Sequence, residues 1–313
     1  MMDTSASLQA HPVWPSLALA EWAPTYETLR RWIQIVGKTR LKHAPMLNHF
    51  WHVTLYLSAR GMTTSPMPFS ERSFELEFDF IDHQLIARVS DGETRSIPLE
   101  PQSVADFYNR YLAMMHDVGI EPGIWPVPSE LADTLRFTDD RIHDAYDADA
   151  AHRCWQALTH VNRLLGDFRG RFLGKSSPVH FWWGGFDMSC TRFSGRRAPV
   201  HPGGIPNLPD WITREAYSHE CISAGWWPGN VGGPVTEPAF YAYSYPEPPG
   251  CAQAPITPSG AYWDTQMHEW FLPYDVVRSS PNPDEIVMTF LQSSYSAAAD
   301  LGRWDRAALE RPV

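Results

Sequence analysis

The sequence predicts an α+β fold built from two tandem units, each with the order helix, antiparallel meander, helix. Residues 25–41 and 150–173 carry apolar side chains at steps of three or four, the period of a helix that buries one face. Each segment is followed by an aromatic triplet, His49-Phe50-Trp51 or His180-Phe181-Trp182, and then by strand-like sequence. This repeated order predicts an internal duplication.

The first unit is predicted to cover residues 1–119 and to end in a capped helix. Its strands follow one another across short turns, at residues 53–57, 74–80, 84–89 and 94–99. Strand 74–80 alternates apolar with acidic residues, so we expect its acidic face to meet water. Ser103 is a suitable N-cap for a helix that reaches residue 115, and Gly119 is a suitable stop after it.

Residues 120–146, which contain three prolines, are predicted to link the units, and the second unit then covers residues 147–313. Its predicted elements are a helix over 150–173, strands over 179–193, 239–245 and 271–277, and a helix over 284–304. Residues 194–238 form a long insertion rich in Pro and Gly, in which Asp210 is a candidate N-cap for a helix over 211–221. Long irregular loops in compact domains are usually functional or disordered, and the tryptophans of this one favour order.

The composition of the 313-residue chain indicates a globular protein, because 43% of its residues are hydrophobic and 19% are charged. A net charge of −11 disfavours a nonspecific grip on nucleic acid. No apolar run approaches the roughly 20 residues of a bilayer crossing, and residues 1–10 lack the features of a secretory signal. We therefore expect a cytoplasmic protein with no membrane partner, while the oligomeric state is left open. The four cysteines match no zinc-site spacing and are expected to be free thiols.

Several familiar catalytic motifs are absent or incomplete. Gly174-Lys175-Ser176 resembles the end of a phosphate-binding loop, but Arg169 stands where that loop needs its first glycine. His219-Glu220 and His268-Glu269 each begin like the zinc-protease HExxH motif, yet neither is completed by a second histidine. The GxSxG and GxGxxG motifs do not occur, which removes the usual support for a hydrolase serine or a dinucleotide cofactor.

Longer motifs occupy the start of the chain and its second half. They read WPSL at 14–17, WAPT at 22–25, SPVHFWWG at 177–184, TRFSGR at 191–196, HPGG at 201–204 and TREAYSHE at 213–220. In these motifs the chain resembles an uncharacterised bacterial family that is catalogued only as a domain of unknown function. The resemblance extends over nearly the full length, and it implies neither an activity nor catalytic residues.

One candidate site is a divalent metal centre formed by His201, Glu215 and His219. If residues 211–221 are helical, Glu215 and His219 lie one turn apart on the same face. His201, or else His180, would be the third ligand, and two histidines with one carboxylate leave positions open for water or substrate. The alternative is that Glu215 and His219 are an ordinary pair on a solvated helix and that His180 is a core imidazole.

A second candidate site binds an anionic aromatic or sugar-like ligand. The guanidinium groups of Arg192 and Arg196 would hold a carboxylate or phosphate, while Trp182, Trp183, Trp226 and Trp227 would hold the apolar part, with Tyr241 as a further lining residue. The alternative is that the arginines pair with nearby acids and anchor the loop, and that Tyr241 packs under it. His49 and His52 of the first unit are candidates for the opposite wall of a cleft between the units.

Acid–base catalysis in such a site would use Asp187 or Glu220 as the base and His180 or His219 as the acid. The leading hypothesis is therefore a small-molecule site, in one form a metal-dependent enzyme, built by residues 180–220 and the cleft between the units. The rival hypothesis is a noncatalytic module that binds a ligand or a protein. The sequence identifies no cofactor beyond the candidate divalent metal.

Overall fold

The computed structural model describes residues 14–205, 208–230 and 232–312 and confirms the α+β class. Residues 1–10, which carry the prediction of no secretory signal, and Pro206 of the insertion lie outside these ranges. The α-helices are α1 (Leu19–His43), α2 (Val104–Asp117), α3 (Ala148–Gly170), α4 (Asp210–Ala216), α5 (Tyr274–Arg278), α6 (Pro283–Leu301) and α7 (Arg306–Leu309). The helices predicted at 25–41, 103–115, 150–173 and 284–304 correspond to α1, α2, α3 and α6.

The strands of the first sheet are β1 (Tyr56–Leu57), β2 (Gly61–Thr63), β3 (Met67–Phe69), β4 (Arg72–Asp79), β5 (Gln84–Val89) and β6 (Thr94–Pro98). They form an antiparallel meander with the order β1-β2-β4-β5-β6, and β3 pairs with the first residues of β4. The strand predicted over 53–57 is wrong at its start, because residues Asn48–Val53 form a 3₁₀ helix in which His49 and Phe50 are left-handed. The triplet His49-Phe50-Trp51 therefore differs in conformation from His180-Phe181-Trp182, which is a strand.

The acidic face of β4 meets water only in part, at Glu75. Glu77 and Asp79 are buried; Glu77 pairs with an arginine of β5, and Asp79 pairs with an arginine of the turn between β1 and β2. An oxygen of Glu77 lies 2.7 Å from Arg88 Nη1, and an oxygen of Asp79 lies 2.5 Å from Arg60 Nε. A buried carboxylate persists where such a partner compensates its lost hydration, and the alternation of residue types does not show that partner.

Helix α1 is buried over most of its length. Its Arg31 is 2% exposed and lies within 2.7 Å of Glu27, 3.0 Å of Asp133 and 3.3 Å of Asp140. Asp133 and Asp140 belong to the segment 120–146, in which no helix or strand is assigned. Ionic contacts thus fasten the predicted linker to α1, and Phe137 of the same segment is fully buried.

The strands of the second sheet are β7 (His180–Trp182), β8 (Asp187–Arg197), β9 (His219–Trp227), β10 (Ala239–Tyr245), β11 (Tyr262–Asp264) and β12 (Glu269–Pro273). They lie in the order β11-β12-β10-β9-β8-β7, and each neighbouring pair is antiparallel. Helices α3 and α6 contact this sheet on one face. That face carries alternate residues of the central strands, including Cys190, Ile222, Ala224, Phe240 and Ala242, all of them buried.

Three predictions for the second unit are corrected. The single strand over 179–193 is two strands, separated by a turn at Gly184–Gly185. The helix over 211–221 ends at Ala216, begins at Asp210 with Pro209 as its N-cap, and is followed by strand β9 within the predicted irregular insertion. The strand over 271–277 ends at Pro273, and α5 follows. In each case pairing with neighbouring strands decides where the strand begins and ends.

The two sheets meet at one point, where Leu55 and Phe181 form an antiparallel bridge. The amide of Leu55 donates to the Phe181 carbonyl over 2.9 Å, and the amide of Phe181 donates back over 3.0 Å. Both residues are fully buried in a core that includes side chains of both sheets. Within the described ranges, no helix combines the length and the apolar character that a membrane crossing requires.

Candidate functional site

A cavity of about 640 Å³ lies beside the junction of the two sheets. One side is formed by the face of the second sheet that α3 and α6 do not cover. The other sides are formed by the end of α1, the 3₁₀ helix Asn48–Val53, residues Ser129 and Glu130, and α4 with the loop before it. The volume falls in the range of small-molecule sites.

The floor of the cavity carries hydroxyl groups because strand residues of one parity share a face. Strand β8 contributes Ser189 and Thr191, β9 contributes Ser223, and β10 contributes Tyr241 and Tyr243. Thr191 Oγ1 and Ser223 Oγ lie 3.0 Å apart, and the indole N–H of Trp182 donates to Ser189 Oγ over 3.0 Å. These contacts fix the orientation of polar groups that face the interior.

Aromatic side chains from both halves of the chain form the walls. The members of this aromatic wall are Phe50, Trp51, Trp182, Trp183, Phe193, Trp211 and Tyr217. Trp183 is held by its indole N–H, which donates to the Val53 carbonyl over 2.8 Å, and its ring fills the space beside Gly37. A Cβ at position 37 would lie 2.3 Å from that ring, so this packing depends on glycine. Flat apolar walls of this kind suit an aromatic or aliphatic ligand body.

Asp187 places a carboxyl group in the cavity at the start of β8. The hydroxyl of Tyr241 donates to Asp187 Oδ2 over 2.5 Å. Burial raises the pKa of Asp187 to about 7, the Tyr241 hydrogen bond opposes that rise, and the charge of Glu130 adds to it. Phe186, the residue before it, has a φ of 59°, a left-handed conformation that is costly for a side chain with Cβ. The fold therefore accepts local strain next to Asp187.

Glu130 brings a second carboxyl group to the cavity from the segment 120–146. It also has a left-handed backbone, with a φ of 59°. Its neighbour Ser129 is clamped by Gln34, whose amide accepts from Ser129 N over 2.7 Å and donates to the Ser129 carbonyl over 2.8 Å. The residue is exposed, and it lines the cavity. Desolvation raises the pKa of Glu130, and the charges of Lys38 and Arg30 oppose the rise.

Lys38 is the cation next to these carboxyl groups. Its ammonium donates to Ser129 Oγ over 2.7 Å and lies 5.6 Å from the centre of the Trp183 ring. Burial lowers the pKa of Lys38 to about 8, and the charge of Glu130 opposes that change. Lys38 itself does not line the cavity, whose described lining contains neither lysine nor arginine.

Four of the predicted site residues face this cavity: Asp187, Trp182, Trp183 and Tyr241. His180 is 1% exposed, lies among the rings of Trp51, Tyr56 and Trp182, and is not part of the lining. Burial lowers the pKa of His180 to about 3, so the imidazole is neutral near pH 7. Glu220 faces away from the cavity, where it accepts from Ser194 Oγ and from Arg196 Nε.

The two predicted ligand-binding arginines lie elsewhere. Arg192 belongs to the opposite face of β8 and is 1% exposed. Its guanidinium donates to the Phe168 carbonyl and lies against the rings of Phe168, Phe172 and Tyr295. Arg196 pairs with Glu220 at 2.6 Å and donates to the carbonyls of Gly302 and Arg303. Arg196 therefore pairs with an acid, as the alternative interpretation held, and joins the end of β8 to β9 and to the residues after α6.

The predicted metal centre is not assembled. Glu215 lies on α4 whereas His219 lies on β9, so the two do not share a helix face. His201 stacks on Tyr217 at 4.9 Å, and its Nδ1 accepts from the Gly203 amide over 3.0 Å. Among the described residues no three His, Cys, Asp or Glu side chains are arranged to hold a metal ion.

Glu130 is not among the site residues predicted from the sequence, which places His49 and His52, near Arg60 and residues 62–68, on the opposite wall. Both histidines do line the cavity, and His49 Nδ1 lies 3.1 Å from the Ala216 carbonyl of α4. The alternation of Asp187, Ser189 and Thr191 was available as a signal for a polar strand face. No local pattern marks Glu130, because its place depends on contacts with α1.

Comparison with known proteins adds a family but no function. No curated protein and no solved structure matches the chain. A family model described as a family of unknown function, DUF5996, matches residues 14–311, which is essentially the whole chain. The chain therefore belongs to the DUF5996 family.

Proposed function

We propose that this protein binds a small organic molecule in the cavity at the junction of its two sheets. The observation that carries the proposal is the cavity itself, in which aromatic walls enclose a floor of ordered hydroxyl groups and two carboxyl groups. Largely apolar pockets with a few convergent polar groups and shifted pKa values are the usual form of a ligand site.

The arrangement favours some ligands over others. The described lining has no lysine or arginine to hold an anion, so an anionic ligand, one of the alternatives from the sequence, is not proposed. A neutral or basic molecule with a flat apolar body fits the walls better. A metal-dependent reaction is not proposed, since the predicted ligands lie apart and only Asp187 of the predicted catalytic residues reaches the cavity.

The test is binding of N-phenyl-1-naphthylamine, a neutral dye whose fluorescence rises in apolar surroundings. We expect saturable binding by the native chain. The Ser223→Phe variant should weaken it at least tenfold, because the ring would occupy the cavity from its floor. Ser96→Phe is the matched control, since Ser96 is also a strand serine but is exposed on β6.

Ala216→Phe gives a second, independent filling variant from the opposite wall. Circular dichroism spectra should confirm that each variant retains the native secondary structure. Dye binding unchanged in every folded filling variant would overturn the proposal, as would the absence of saturable binding by the native chain.

A further inference from the structure

We infer that the cavity selects a protonated amine, whose ammonium group lies between the carboxyl groups of Glu130 and Asp187. This inference rests on the proposed function and names the chemical class of its ligand. It follows from four features of the cavity: an unpartnered carboxyl group, a support that holds it, an unfavourable charge balance and aromatic walls.

The first feature is the carboxyl group of Glu130. Within the described parts of the chain it has neither a hydrogen-bond donor nor an ion-pair partner, whereas the buried carboxyl groups of Asp140, Asp79 and Glu77 each have one. Lys38 directs its ammonium to Ser129 Oγ instead. The carboxyl group of Glu130 is therefore free to accept hydrogen bonds from a ligand in the cavity.

The second feature is the support under Glu130. Gly184 leaves the room that the carboxyl group occupies, since a Cβ there would lie 2.0 Å from Glu130 Oε1. Gln34 binds both backbone groups of Ser129, and Lys38 binds its hydroxyl. Glu130 nevertheless keeps a left-handed backbone. Strain of this kind persists only where the surroundings determine the conformation, and it is concentrated at functional sites.

The third feature is the charge balance. Asp187 and Glu130 interact unfavourably and each is also desolvated, whereas the charges of Lys38 and Arg30 favour the ionised form of Glu130, yet the pKa of both carboxyl groups is raised. Tyr241 satisfies one oxygen of Asp187, whereas Glu130 is left without a donor. An ammonium group between the two carboxyl groups supplies three donors and one positive charge.

The fourth feature is the aromatic wall of the cavity. Trp182 and Trp183 line the cavity next to Gly184, and a cation within about 6 Å of an indole face gains further attraction. Lys38 already lies in that position on Trp183, so we expect a ligand cation to use the ring of Trp182. A ligand with an ammonium head and a flat apolar body would use the carboxyl groups and the wall together.

Three probes that share a naphthyl body but differ in the charge of the head group test which charge the cavity prefers. They are 1-naphthylmethylamine, which is protonated at pH 7, its neutral counterpart 1-naphthalenemethanol, and the anion of 1-naphthoic acid. Calorimetric titration of the native chain should give an affinity for the amine at least tenfold above that for the alcohol, and the weakest binding for the acid. A tenfold preference corresponds to about 1.4 kcal/mol.

The preference should depend on Glu130. Glu130→Gln should reduce the ratio of amine to alcohol affinity at least fivefold while leaving the alcohol affinity within twofold. The matched control is Glu121→Gln, an exposed glutamate of the same segment that does not line the cavity. Gly184→Ala should act in the same direction as Glu130→Gln, because its Cβ would displace the Glu130 carboxyl group.

The outcomes distinguish this inference from the proposed function. Equal affinities for amine and alcohol, or a preference that survives in Glu130→Gln, would overturn the inference and leave the binding cavity in place. Failure of all three probes, together with failure of the naphthylamine dye, would overturn both. Loss of the preference in Glu130→Gln but not in Glu121→Gln would support it.

Discussion

At the scale of single residues, Asp187 makes stability depend on pH. Its pKa is raised to about 7 by burial, so between pH 4 and pH 7 the folded chain keeps a proton that the unfolded chain has lost. The contribution of Asp187 is therefore most favourable at low pH and is lost as the pH rises through about 7. Ionised Asp187 is a buried charge without a cationic partner in the described cavity.

We predict that Asp187→Asn is more favourable at pH 8 than at pH 5. Asparagine keeps an oxygen for Tyr241 but has no charge to bury, so the change in unfolding free energy should differ between the two pH values by about 2 kcal/mol. Urea unfolding at both pH values measures it. Asp144→Asn is the control at an exposed aspartate, and equal effects of Asp187→Asn at the two pH values would contradict the prediction.

The sequence predicted Asp187, Trp182, Trp183 and Tyr241 as site residues, but not Glu130. Asp187, Trp182 and Tyr241 lie on strands whose alternation decides which side chains share a face, and Trp183 directly follows β7. Glu130 lies in an irregular segment, and its place is set by Gln34 and Lys38, about ninety residues earlier in the chain. Contacts at such separation leave no periodic trace in the sequence around Glu130.

At the scale of elements, strand β8 sends neighbouring residues to two different environments. Thr191 and Phe193 face the cavity, while Arg192 points to the helical side and lies against Phe168 and Tyr295. Arg196, beyond an irregularity in the pairing with β9, is exposed. Nearness in sequence suggests one site for Arg192 and Arg196, but the alternation of β8 directs Arg192 to the face opposite the cavity.

We predict losses of stability of very different size at these two arginines. Arg192→Ala should lower the unfolding free energy by about 3 kcal/mol, because it opens a void among aromatic rings and leaves the Phe168 carbonyl without its donor. Arg196→Ala removes an exposed ion pair and should cost about 1 kcal/mol or less. Urea unfolding of both variants tests this, and equal costs would contradict it. Neither change should alter binding of the naphthylamine dye.

Helix α4 and strand β9 explain why the residues of the predicted metal centre are not brought together. The polar residues 213–220 fit a continuous helix, but the chain leaves the helix after Ala216. His219 pairs with β8, and residues from Cys221 onward pair with both β8 and β10, so that two sets of backbone hydrogen bonds outweigh a weak helical preference. A local pattern does not reveal partners that come from distant parts of the chain.

At the scale of the whole molecule, the sequence predicts the α+β class, with helices and antiparallel strands in each half of the chain. Both sheets contain an antiparallel meander that begins at the junction, where Leu55 meets Phe181. Internal duplication stays a prediction, since the aromatic triplets that suggested it differ in conformation. The junction itself was not predictable in detail, because a single bridge between two edge strands has no signature in either strand.

The division into units at 1–119 and 147–313 also stays a prediction, and unfolding tests whether the units are independent domains. We expect one cooperative transition, because a single core contains Trp32 of α1 and Trp270 of β12, and because the Leu55–Phe181 bridge and the Trp183 hydrogen bond to Val53 cross the junction. Far-UV circular dichroism and tryptophan fluorescence should give coincident urea curves. Two separated transitions would contradict the prediction and would show that the cavity lies between domains able to unfold apart. A single transition would mean that the cavity walls are held by the stability of the whole chain, so that a bound ligand stabilises both sheets together.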